Sequence, residues 1–152
     1  MPATSASTTP TLVFGWGNPS RGDDALGPLF VERIEALGLA GIDCLSEYQL
    51  QIEHIFELVE RERILFVDAS MAVTAPFAVS PLQPAPDMAQ DFSHAIDPAV
   101  LLRVYEDFFG ARPPPAFLLE IRGTDFSLGA PCSAAARQHL QAALRWARKW
   151  LE

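Results

Sequence analysis

Residues 64–67, Ile-Leu-Phe-Val, are four apolar side chains in a row between Arg63 and Asp68. A half-buried strand would alternate with polar residues, and a helix would be longer, so this run fits a strand covered on both faces. Such strands belong to parallel sheets with helices packed on either side. The rest of the chain is therefore searched for alternating strands and helices.

They are found. Thr11–Gly17 is a second apolar run, ending in glycines that mark a turn. From Leu26, the positions Leu26, Leu29, Phe30, Ile34 and Leu37 recur at helical spacing, and Gly38 stops them. Ile42–Ser46 fits a strand, and Ile52, Ile55, Phe56 and Val59 mark a helix with acidic residues on its other face. A long loop from Ala69 to Ile96 follows, broken by Pro76, Pro81, Pro84 and Pro86, with one candidate strand at Phe77–Leu82. Asp97-Pro98 is an N-cap followed by proline at the first helical position. It opens a helix with the stripe Leu101, Val104, Tyr105 and Phe108 and a stop at Gly110. Ala116–Ile121 is the last strand, and Ser133 can cap a final helix with Leu140, Leu144, Ala147 and Leu151 on one face. The expectation is an α/β three-layer sandwich: a twisted, mostly parallel sheet of about five strands with helices on both faces. It comprises a flexible tail, residues 1–10, and one domain, residues 11–152.

At 152 residues and 49% apolar composition, the chain can bury a core without a disulfide or metal. The net charge of −8 disfavours nucleic acid and anionic membranes as partners. Basic residues gather at Arg137, Arg145, Arg148 and Lys149, where they suit a helix C-terminus. Cys44 and Cys132 form no CxxC pattern, so neither a disulfide framework nor a thiolate metal site is indicated. With no leader pattern and no membrane-length apolar run, a cytoplasmic monomer is expected.

In such folds ligands bind beyond the carboxyl ends of the strands, where the strand order reverses. Gly17-Asn-Pro-Ser-Arg-Gly-Asp23-Asp24 follows the first strand and Asp68 ends the third. A local order of second, first, third strand would make those ends neighbours. Gly15-x-Gly17 resembles half of a dinucleotide fingerprint, but its third glycine would fall on Ser20, and Asp23 and Asp24 would repel a pyrophosphate. Either aspartate could instead cap the following helix, and Asp68 could bond its own loop. His54 and His139 suit structural roles on helices, whereas His94 lies late in the long loop. Two loop carboxylates and an imidazole would make an O,O,N set for nickel or zinc with coordination positions left open. No GxSxG elbow or cysteine nucleophile is present.

The run Gly15-Trp-Gly-Asn18-Pro-Ser-Arg-Gly-Asp23-Asp24-Ala-Leu-Gly27, with Phe66-Val-Asp68-Ala69 and Ser93-His94, resembles the maturation endopeptidases of nickel-iron hydrogenases. The resemblance implies an enzyme that removes the C-terminal extension of the nickel-loaded precursor of the hydrogenase large subunit. It implies Asp24, Asp68 and His94 as metal ligands and catalytic residues, and nickel supplied by the precursor, with no organic cofactor. The loop 69–96 would then move to deliver His94. The segments Gln49–His54 and Ser93–Pro98 look most like the branch serving soluble, NAD-linked bidirectional hydrogenases. Ala25 stands where many relatives carry glycine, and Trp16 is bulkier than the usual aliphatic residue. The same residues would also serve a non-catalytic nickel-sensing assembly chaperone.

Overall fold

The structure, a computed structural model, describes residues 10–86 and 96–152. Its strands are β1 (Thr11–Trp16), β2 (Ile42–Glu47), β3 (Arg63–Ser70), β4 (Phe77–Leu82) and β5 (Ala116–Arg122). They form one sheet in the order β2-β1-β3-β5-β4, parallel except for β4, which runs antiparallel to β5. The helices are α1 (Leu26–Ala36), α2 (Pro98–Phe109) and α3 (Ala134–Leu151), with short 3-10 turns at Gly22–Ala25 and Ile52–Glu57. The α/β sandwich expected from the alternation is the one observed. Among the described residues no helix is long and apolar enough to cross a membrane.

Strand periodicity divides the interior into two cores. Val13, Leu65, Val67, Leu119 and Ile121 point to one face and pack under α1 and α3, against Phe30, Ile34, Leu140 and Ala147. Leu12, Phe14, Ile64 and Phe66 point to the other, against Leu101 and Tyr105 of α2 and Ile55 and Leu58 around the second 3-10 turn. Phe14 and Phe66 are wholly buried, each contributing roughly 1.5–3 kcal/mol of apolar transfer free energy. The paired apolar residues of β3 thus feed two cores, which is why the run never alternates.

Local backbone chemistry sets the ends of α2 and α3. The Val100 N–H donates to Asp97 Oδ1 at 3.0 Å, Pro98 opens α2, and Gly110 ends it at φ 64°. The Ala136 N–H donates to Ser133 Oγ at 3.1 Å. At the far end of α3, Arg63 donates to the carbonyls of Trp150 (2.8 Å) and Leu151 and lies 4.1 Å from the centre of the Trp150 ring. The Pro10 carbonyl accepts from the Glu62 and Arg63 N–H groups, so Pro10 is tied to the start of β3; residues 1–9 of the expected tail lie outside the described residues.

Four expectations change. Residues 52–57 form a 3-10 turn rather than a helix; a capping box opens it, in which the Gln51 N–H donates to His54 Nδ1 at 2.9 Å. Phe56 and Phe108 do not belong to buried stripes; both are mostly exposed, and their rings meet edge to face at 5.5 Å. β3 continues past Asp68 to Ser70, because β5 still pairs with it after β1 has ended. The loop expected from residue 69 therefore begins after Ser70, while the candidate strand at Phe77–Leu82 is present as β4.

Candidate functional site

The glycines of the first loop are spent on close approach. A Cβ on Gly27 would lie 2.3 Å from the Trp16 carbonyl, and one on Gly15 would lie 2.6 Å from the Gly27 carbonyl, so α1 and β1 touch backbone to backbone. Gly17 has φ 151°, and a Cβ there would fall 1.9 Å from the Asp24 carbonyl. Any side chain at residue 17 would therefore push Asp24 out of place. The Asn18 N–H donates to Asp24 Oδ2 at 2.7 Å, while Asn18 Oδ1 accepts from the Ser20 N–H. Asp24 is thus held by the turn that carries it, and neither aspartate caps α1.

Asp23 and Asp24 have separate tasks. Asp23 is completely buried and accepts from the N–H groups of Thr124 (2.8 Å), Asp125 (3.2 Å) and Ser133 (2.7 Å), and from the Ser133 hydroxyl (3.0 Å). Burial raises its pKa, but those donors outweigh burial and hold it below the ordinary carboxylate value. Asp23 joins the first loop to the start of α3. It is structural.

Asp68 lies where β1 peels away: the β1–β3 register ends at Gly15 opposite Val67, and Asp68 then pairs only with Glu120 of β5. Its Oδ1 accepts from the Ala69 N–H at 2.9 Å, and the Trp16 indole donates a further hydrogen bond to its side chain. Burial raises the Asp68 pKa most, the Asp24 and Glu120 charges add to that, and together they outweigh both donors. The carboxyl is pushed up to about 7. Like charges gathered at a half-buried spot take up a proton or a cation. Asp68 bonds the N–H of the next strand residue rather than a loop, because β3 runs on to Ser70, and the charge of Asp24 is felt at its carboxyl.

His94 lies outside the described residues. Ile96, two positions later, is buried in the same core as Trp16 and Phe66. Among the described residues no set of three His, Cys, Asp or Glu side chains is arranged to hold a metal ion. His54 caps its own turn and stacks edge to face on Phe14 at 4.9 Å, and His139 Nδ1 lies 3.0 Å from the Arg122 carbonyl, so both are structural. The Cys44 thiol, raised to about 11 by burial and by Glu35 and Asp43, stays protonated at neutral pH.

Two participants were not singled out for these roles. Trp16 donates to Asp68, and Glu120 adds charge beside it. The signal for Glu120 was present: it is the one acidic residue in the apolar strand Ala-Phe-Leu-Leu-Glu-Ile-Arg.

No protein-family model and no curated protein matches the chain. Solved structures do. The [NiFe] hydrogenase maturation protease HycI from Thermococcus kodakarensis superposes with a TM-score of 0.70 at 17% identity, over 95% of this chain and 93% of that one. The hydrogenase maturating endopeptidase HybD from E. coli gives 0.68 at 19% identity, over 90% of this chain and 88% of that one. The endopeptidase HycI from Escherichia coli gives 0.67 at 20% identity, over 93% and 91%. At these identities the likeness establishes a shared fold over nearly the whole chain.

Proposed function

We propose that this chain is a cytoplasmic endopeptidase that removes the C-terminal extension from the nickel-loaded precursor of a nickel-iron hydrogenase large subunit. The observation that carries the proposal is the raised pKa of Asp68 where the first strand leaves the sheet, a shift caused first by burial and added to by the charge of Asp24. The shared fold with proteins described as hydrogenase maturation proteases supports it.

In this reading Asp24, Asp68 and His94 grip the nickel ion that the precursor already carries. The ion is part of the substrate, and its position fixes where the scissile peptide lies against the enzyme. Asp68 holds a proton for much of the time near neutrality and gives it up when a cation arrives, so cation capture releases a proton. An empty precursor offers no cation to grip, which makes nickel loading the condition for cleavage.

The test is reconstitution with nickel-loaded and nickel-free precursor, read by intact mass. The expected result is shortening of the loaded form only, with a loss of about 100-fold or more in Asp24→Asn, Asp68→Asn and His94→Ala. Binding of loaded precursor without any change in its mass would replace the protease by a nickel-sensing chaperone. Folded variants that cleave at the unmodified rate would overturn the metal-grip mechanism.

A further inference from the structure

The two edges of the sheet are not equivalent. β4 carries Pro81, which has no N–H to give to a further strand. β2, Ile-Asp-Cys-Leu-Ser-Glu, has no proline, and among the described residues it pairs only with β1. Its ladder is bounded by the Thr11 N–H donating to the Gly41 carbonyl and the Gly17 N–H donating to the Glu47 carbonyl. Parallel pairing alternates, so Asp43, Leu45 and Glu47 turn their backbone groups toward β1, and Ile42, Cys44 and Ser46 turn theirs outward. Those outward groups are a ready template for another strand.

A trench follows this edge. Cavities of about 270 and 290 Å³ share Pro19, Pro28 and Ser46 and thus adjoin. One is bounded by Gly17, Glu47 and the exposed Tyr48, the other by Leu29, Glu32 and Glu35 of α1. A third, of about 310 Å³, continues past Glu35 along Ile42 and Cys44. No basic side chain lines the first two, whereas three carboxylates do. At Gly17 the trench reaches the residue whose backbone abuts Asp24.

We propose that the outer edge of β2 is a docking strand for an extended, cationic peptide, which adds to the sheet beside α1 and is led by the trench to the Gly17–Asp24 turn. Backbone groups of Ile42, Cys44 and Ser46 hold the peptide in register. Glu32 and Glu35 select Lys or Arg on the face turned toward α1. The proposal rests on the proteolytic reading for the identity of the occupant, the precursor segment around the scissile bond; the docking itself needs no cleavage.

The experiment titrates the isotope-labelled full chain with a blocked octapeptide of alternating Val and Lys, followed by amide chemical shifts. Shifts are expected along Ile42–Glu47 and the trench side of α1. A backbone N-methylated twin and a Val/Glu twin should each bind about tenfold more weakly or worse. Glu32→Lys with Glu35→Lys, both on exposed helix positions, should weaken the Val/Lys peptide about fivefold and favour the Val/Glu peptide instead. Ser46→Pro removes one outward N–H and should raise the KM for precursor with little change in kcat. Equal affinity for the N-methylated twin, shifts confined to another face, or a chain that is a dimer until Ser46→Pro makes it a monomer would each overturn the proposal. If the precursor is never shortened yet the peptide docks as described, the protease reading fails and the docking strand stands.

Discussion

Asp23 and Asp68 are both carboxylates withdrawn from water at the carboxyl end of the sheet, and their surroundings treat them in opposite ways. Asp23 meets four donors from one remote loop and is held ionised below the usual range. Asp68 meets the Ala69 N–H and the Trp16 indole but also faces Asp24 and Glu120, and its pKa rises to about 7. Satisfied burial makes a carboxylate a strut; unsatisfied burial among like charges makes it a receptor for something positive. Adjacent positions in the sequence can therefore differ completely in task, as Asp23 and Asp24 do.

The largest effect expected from that contrast is on folding. Asp23→Ala strands the N–H groups of Thr124, Asp125 and Ser133 and should cost about 4 kcal/mol, seen as a Tm lower by roughly 10 °C. Because the folded pKa of Asp23 is depressed, its contribution is present above the ordinary carboxylate pKa and is lost as the pH falls through the folded value. The deficit of Asp23→Ala should shrink in acid urea melts. An undiminished deficit would remove the strut.

Asp68 has the reverse sign. Its folded pKa is raised from 3.8 to about 7, so the folded state binds the extra proton and stability declines as the pH rises through that interval, by up to about 4 kcal/mol. Asp68→Asn should therefore match the unmodified chain near pH 4 and exceed it in stability at pH 8, in chelated buffer, while losing activity. A variant less stable than the parent at pH 8 would break the comparison.

The smallest effect sharpens it. Asp24→Asn removes one of the two charges acting on Asp68, but burial is the larger cause. The Asp68 midpoint, followed by carboxyl carbon NMR, should move downward by a smaller step than burial raised it. An unmoved midpoint would mean that the two carboxylates do not share a site.

Much of this was legible beforehand, for reasons that are local. The unbroken run Ile64–Val67 required cover on both faces, and Asp97-Pro98, Gly110 and Ser133 carry their own backbone chemistry. The meeting of the first loop with Asp68 followed from strand order alone, and β2-β1-β3 is the order found. Much of what escaped the sequence depends on contacts about fifty or more residues apart. Nothing near Asp23 announces that its donors come from residues 124–133, and nothing in Phe66-Val-Asp68 says that β5 will carry the strand onward to Ser70. The apolar spacing of residues 52–57 is shared by an α-helix and a 3-10 turn and does not separate the two.

Arg63 leaves one more consequence. Helix ends ordinarily fray, since their final carbonyls lack partners. Here the first residue of the central strand binds the carbonyls of Trp150 and Leu151 and covers the indole between them, so the closing turn of α3 is buckled to the middle of the molecule. Its unwinding has to wait for the sheet, and the helix and the strand should come apart as a single event.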